Sequence, residues 1–228
     1  MIGHPKATWG VTTGNPIWEE MHEVALRTKP TFLLNVALNT RRQITGVFAG
    51  DMVAAHTAGC EFVRQSAMVP VDAPYDIVLT TNSGYPLDQN LYQSVKGVSA
   101  AAQIVRRGGA IIMAAACEDG LPSHGKYAEL LAQAGSPQAV LDLISQPGFS
   151  EHDQWQVQIQ AQIQLRAEVR VYSDGLSDRQ IERALFIPCR DIARTVTDLQ
   201  GRYGPGARLC VMPDGPLTIP YVREVTHK

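Results

Sequence analysis

Short continuous apolar runs alternate along the chain with stretches in which apolar residues recur every three to four positions, the pattern of strands and amphipathic helices in α/β proteins. The clearest such unit is YDIVLTTNSGYPLDQNLYQSVKGVSAAAQIVRRGG, residues 75–109. Tyr75 to Thr81 is short, apolar and rich in β-branched residues, with Pro74 before it and Asn82-Ser83-Gly84 after it, which predicts a central strand buried on both faces. Pro86 and Asp88 are suited to opening a helix. Leu91, Val95, Val98, Ala102 and Val105 then form one helical stripe, which Gly108-Gly109 is expected to stop. A second apolar run, residues 110–116, completes a strand, helix, strand crossover.

The same reasoning covers the flanks. Residues 6–13 hold a possible edge strand, and Asn15 with Pro16 opens a helix carrying Ile17, Met21, Val24 and Ala25 on one side. Residues 32–38 and 44–49 read as an antiparallel hairpin turning at Asn39-Thr40-Arg41-Arg42, after which Gly50-Asp51 caps a helix to about Ala67. Downstream, residues 127–134 and 137–145 predict two short helices, the second capped by Ser136. Residues 154–165 alternate glutamine with apolar residues at period two, which argues strand. A preceding Ser150-Glu151-His152-Asp153 of capping-box form and the better strand at residues 169–172 argue helix, and helix is the reading taken. Ser177 caps a helix to about Leu185, residues 192–203 form another, and residues 209–212 read as the last strand. These elements predict an α/β fold, a three-layer sandwich with a mixed, mostly parallel sheet flanked by helices and one strand-strand hairpin, with residues 1–228 as a single domain.

Composition narrows the class. The 228 residues are 45% hydrophobic, enough to fill a core, and the net charge of −2 gives no general reason to expect nucleic acid or an anionic membrane. No run approaches a membrane span and the first residues lack a signal peptide's apolar stretch, so a cytoplasmic protein is expected. Cys60, Cys117, Cys189 and Cys210 are widely spaced, which suits reduced thiols better than a disulfide framework or a zinc site. His56 has no second ligand at zinc-binding spacing, and nucleotide-binding, esterase and zincin motifs are absent.

Gln93 and Lys96 lie three apart, on the helix side away from the apolar stripe, and face either solvent or a cleft. A lysine and an amide beyond a strand's carboxyl end suit a small carboxylate bearing a hydroxyl. Trp155, in the first turn of its helix, is either core or one wall of a pocket. Glu118, Asp119 and His124, in the loop after the second apolar run, either line the cleft or cap turns.

The segments IGHPKATWGVTTGNPIWEEM, FLLNVALN, ITGVFAGDMVAAHTAGC, DIVLTTNSGYPLDQNLYQSVKG and EHDQWQVQI together resemble the carboxyl-terminal half of nickel-dependent lactate racemases, most specifically in GYPLDQNLYQSVKG and HDQW. The resemblance implies a 2-hydroxyacid racemase or epimerase that uses a nickel-pincer nucleotide. In the implied reaction a histidine takes the substrate hydroxyl proton, hydride moves from the 2-carbon to the cofactor, and the planar 2-keto acid takes it back on either face. It implies substrate contacts for Lys96, Gln93 and Tyr92, and cofactor or pocket contacts for Trp155 and Gln93. The catalytic histidines, the nickel-binding histidine and the cofactor-tethering lysine of the family lie in an amino-terminal half that nothing here matches. The expectation is therefore an isolated chain with no catalytic or metal-binding residue of its own, no bound cofactor and no activity until joined to that half. Competing readings are a non-catalytic α/β module binding an organic anion or protein, and a structural half docking through an apolar patch.

Overall fold

The computed structural model describes residues 1–223. By its internal packing the chain divides into two compact units, Met1–Val69 and Pro70–Lys228.

In the first unit, helix α1 (Pro16–Arg27) starts at Asn15, whose side chain accepts from Ile17 N, with Pro16 in the first turn, as the sequence suggests. Strands β1 (Leu33–Leu38) and β2 (Ile44–Gly50) form the expected antiparallel hairpin. Helix α2 (Met52–Ala67) is capped by Asp51, which accepts from Val53 N and Ala54 N. Residues 6–13 are not a strand. They turn locally instead, with Ala7 N bonded to His4 O and positive φ at Gly10 and Gly14, so no extended partner edge is offered.

Strand β3 (Met68–Val71) spans the division and leads into the second unit at β4 (Tyr75–Thr81). Then come α3 (Leu91–Ala101), β5 (Val105–Ala114), α4 (Tyr127–Ala134), α5 (Pro137–Ile144), α6 (Gln154–Gln164), β6 (Glu168–Tyr172), α7 (Asp178–Arg183), β7 (Ile187–Pro188), α8 (Ile192–Tyr203), β8 (Leu209–Met212) and β9 (Ile219–Val222). The main sheet runs β7-β6-β5-β4-β8, and each pairing in it is parallel. The α/β class stands, with antiparallel pairing in the hairpin and none in the main sheet. Alternate residues feed two layers. Val78, Ile111, Met113 and Val171 pack with Leu91, Val95, Val98 and Val157 of α3 and α6. Ile77, Ala110 and Ile112 pack on the other face with Leu199, Ile192 and Val196 of α8. A parallel sheet covered on both faces explains the unbroken apolar runs of β4 and β5. Among the described residues no helix is long and apolar enough to cross a membrane.

Three local expectations are corrected. Helix α3 opens at Leu91 with Asn90 as its cap, not at Pro86 or Asp88. Asp88 is buried, and its Oδ2 accepts from Ala116 N at 2.9 Å, so it fastens the loop after β4 to the end of β5. Gly108-Gly109 lies inside β5, where the pairing with β4 jumps from Tyr75↔Val105 to Ile77↔Ala110. The glycines form a bulge because a Cβ on Gly109 would sit 2.7 Å from Asp76 O. Residues 209–212 are not the last strand, since β9 follows and pairs with β3.

At the other end of the sheet, Asp76 accepts from Arg106 Nε at 2.6 Å and from Arg208 N at 2.8 Å. The Arg106 side-chain bond, then the Arg208 backbone bond, hold the Asp76 carboxyl below its usual range against a smaller opposing effect of burial. A carboxyl lowered on folding stabilises the fold at pH values above its unfolded pKa of about 4 and loses that contribution as pH falls through the folded value. Asp76→Asn is accordingly expected to be less stable than the native chain at pH 7, with the gap narrowing toward pH 3, as read from urea midpoints at the two pH values.

Candidate functional site

Helix α3 leaves the carboxyl end of β4, and the loop between them is built to hold it there. Asn82, fully buried at the strand's end, accepts from Gly97 N at 3.0 Å and donates to Leu87 O. Asn90 Oδ1 accepts from Gln93 N at 3.0 Å, and Leu91 N is taken by Gly120 O at 3.2 Å. Two of the first-turn amides of α3 are thereby occupied.

Two side chains of α3 are already joined. Lys96 is exposed, Gln93 is half-buried, and Lys96 Nζ donates to Gln93 Oε1 at 2.6 Å. An ammonium has three protons to give, so this bond leaves two for a carboxylate, and the Gln93 amide keeps two N–H donors.

Helix α6 supplies the aromatic part. Trp155 is 38% exposed, and its Nε1 donates to Tyr92 Oη at 3.2 Å. The Tyr92 ring meets Tyr127 edge-on at 5.5 Å, and the His152 ring meets Trp155 edge-on at 5.2 Å. Trp155 is therefore neither core nor free surface: its indole N–H is fixed and part of its face is open to solvent.

The glutamines that gave residues 154–164 their misleading alternation brace this wall. Gln156 Nε2 donates to Tyr92 O at 2.8 Å, Gln160 Nε2 to Ala184 O at 2.7 Å, and Gln164 Nε2 to Leu185 O at 2.5 Å. Gln160 also accepts from the wholly buried Tyr127 hydroxyl at 2.5 Å. Burial pushes the Tyr127 phenol well above its ordinary value, so it stays a donor. The expected capping box at Ser150–Asp153 does not form. Asp153 takes the cap position with φ 67 and no side-chain cap bond, and its Oδ2 accepts from Lys126 N at 3.0 Å. The carboxylate is spent on tying α4 to α6.

The structure thus joins Tyr92 to Trp155 and Gln93 to Lys96, with Tyr92, Gln93 and Lys96 in adjoining turns of α3. Glu118, Asp119 and His124 lie exposed in the loop beyond β5, where Asp119 N is bonded to Gln89 O. His56 is half-buried against Cys60, 3.6 Å away. Among the described residues no group of three or more His, Cys, Asp or Glu is placed to hold a metal ion. All four cysteines are free; burial raises the Cys117 thiol, which packs against Ser94 Oγ at 3.6 Å as a protonated core group. The roles of Asn82 and the α6 glutamines leave no periodic trace in a sequence, because they are side-chain bonds to distant backbone; the Asn90 cap is local, but Pro86 and Asp88 just before it offer competing helix starts.

Fold and side chains together define a parallel α/β domain carrying an ammonium, an amide and a braced indole at the carboxyl ends of its strands. A family model described as the lactate racemase C-terminal domain matches residues 71–219, and the chain belongs to that family. It is 37% identical over 225 residues to the lactate racemase of Thermoanaerobacterium thermosaccharolyticum, covering 98% of this chain and 52% of that protein. It is 39% identical over 217 residues to the lactate racemase of Lactiplantibacillus plantarum, covering 94% of this chain and 50% of that one. The structure of the lactate racemase apoprotein from Thermoanaerobacterium thermosaccharolyticum matches with a TM-score of 0.88 and 35% identity, over 98% of this chain and 53% of that chain. A Thermotoga maritima protein at 12% identity and TM-score 0.63 shares the fold. The chain spans about half the length of the curated relatives it matches.

Proposed function

We propose that this chain is the substrate-facing carboxyl-terminal half of a lactate-type 2-hydroxyacid racemase or epimerase, completed by an amino-terminal half that brings the acid/base and cofactor-holding groups. The observation that supports it most is the Lys96–Gln93 pair, joined at 2.6 Å on α3, one residue from the Tyr92 that holds the Trp155 indole.

In this reading Lys96 receives the substrate carboxylate through charge-assisted hydrogen bonds. Gln93 gives up its bond to the ammonium and orients the 2-hydroxyl, for which an amide can serve as donor or acceptor. The indole of Trp155 and the phenol of Tyr92 exclude water from the reacting carbon, which strengthens the ion pair and protects a keto-acid intermediate from side reactions. Ammonium, amide, phenol and indole suit the edge and face of a planar nucleotide cofactor but are not nickel ligands. The family's nickel-pincer nucleotide, when bound, supplies the hydride-accepting chemistry, and the hydroxyl proton goes to a histidine outside this chain. Four free thiols are in keeping with a reducing, cytoplasmic setting.

The test is reconstitution. The purified chain, the cofactor-loaded amino-terminal half of the Thermoanaerobacterium thermosaccharolyticum lactate racemase, and their mixture are each given L-lactate, and D-lactate is measured by chiral chromatography. Turnover is expected from the mixture alone. Turnover by the chain alone overturns the proposed division of roles, and lactate binding without turnover in any mixture favours a non-catalytic anion-binding module.

A further inference from the structure

The first unit carries a sheet that is apolar on both faces. Of the described residues 1–69, Ala55 alone is buried. One face of the β1–β2 hairpin is covered from within: Phe48 meets Phe62 of α2 with ring centroids 5.5 Å apart, and Gly59 of α2 leaves room for the Phe48 ring, which a Cβ there would approach to 3.4 Å. The opposite face is bare. The register pairs Leu34 with Ala49, Val36 with Val47 and Leu38 with Ile44, and cross-strand partners point the same way. Leu34, Val36, Leu38, Ile44 and Val47 are 41–65% exposed, a contiguous aliphatic row with no charged residue in it. Among the described residues neither outer edge of the hairpin is paired.

A two-stranded sheet is marginal by itself, and a sheet with two apolar faces belongs between two layers. A contiguous exposed apolar face marks a contact surface. Its position in the family indicates what covers it. The model for the carboxyl-terminal domain begins at residue 71, next to the boundary at Val69, so this unit lies outside that domain. The curated relatives carry about as much chain again beyond the matched part.

We infer that the Leu34–Val36–Leu38–Ile44–Val47 face is the seat of the amino-terminal half, which lays an apolar layer on it and continues the sheet from a hairpin edge. The unit at residues 1–69 is then part of the partner half's architecture carried on this chain. The inference rests on the two-half reading above and names the surface through which the halves join.

The full chain, Val36→Glu and Val47→Glu are each mixed with the amino-terminal half of the Thermoanaerobacterium thermosaccharolyticum lactate racemase. Stoichiometry is read by light scattering, affinity by calorimetry, and the footprint by amide hydrogen exchange. A one-to-one complex is expected, with new protection over residues 33–50. Each glutamate weakens it on the order of a hundredfold, because a carboxylate is forced into an apolar contact. The melting temperature of the free variants stays close to that of the parent, since both side chains already meet water. Absence of a complex, protection confined to residues 70–223, or unchanged affinity of both variants overturns the inference. So does a homodimer of the chain alone that either glutamate dissolves, which makes a second copy the occupant. A complex sensitive to both glutamates but silent toward lactate counts against the racemase reading and supports the surface. Lactate turnover that neither glutamate diminishes counts against the surface alone.

Discussion

Replacing Lys96 by alanine is expected to lower kcat/KM of the reassembled enzyme for lactate by about a hundredfold to a thousandfold, the range for losing one preorganised charged contact to a reacting ligand. Stability of the chain is expected to change by less than about 0.5 kcal/mol, because the side chain is exposed and its one hydrogen bond runs to Gln93 on the same helix. Lys96→Arg should recover only part of the activity. A planar guanidinium is wider than an ammonium and cannot take the same position against Gln93 Oε1. Steady-state kinetics with a thermal melt on each variant separates the effects. Unchanged turnover in Lys96→Ala refutes the assignment of the carboxylate contact, whereas lost turnover accompanied by a collapsed melting temperature points to a scaffold role.

A large loss of stability is expected at Gly97. A Cβ there would lie 2.3 Å from Thr81 O and 2.6 Å from Met113 Cε. The methionine tip can swing aside, but the carbonyl belongs to the last residue of β4 and is fixed by its sheet neighbours, so α3 must lift. Gly97→Ala is expected to cost about 2–3 kcal/mol, equivalent to roughly 4–12 °C in Tm for a domain of this size. Gly201 in α8 is the control, since a Cβ there meets nothing within 4 Å. Gly201→Ala should stabilise by about 0.5–1 kcal/mol because alanine is the better helix former. Calorimetric melts of the two variants should therefore move in opposite directions. In the reassembled enzyme Gly97→Ala should also impair turnover, since Gln93 and Lys96 ride on the displaced helix.

Where one physical pattern dominated, the sequence was readable. Over α3 the stripe lies against the sheet as its spacing requires, with Leu91, Val95 and Val98 each 1% exposed, but the last residue assigned to it, Val105, opens β5. Asn15, Asp51, Ser136 and Ser177 cap the helices they precede, because an N-cap is a local interaction. Reading failed where one residue type serves two ends. A Gly-Gly pair stops a helix as readily as it makes a bulge, and only the register of β4 against β5 distinguishes the two. Strands β3, β7 and β9 are four, two and four residues long, and exist because a partner edge is there to receive them. For the site, spacing alone could put Gln93 and Lys96 on one side of a helix but could not say what stood opposite. The bond from Trp155 to Tyr92 spans 63 residues.

The three amides of α6 that grip Tyr92 O, Ala184 O and Leu185 O contain no ionisable proton. A clamp of neutral dipoles keeps its grip whether the medium is acidic or alkaline, dilute or saline. Helix α6 is thereby held by contacts that do not titrate, so a bell-shaped activity curve is not expected to arise from slippage of this buttress.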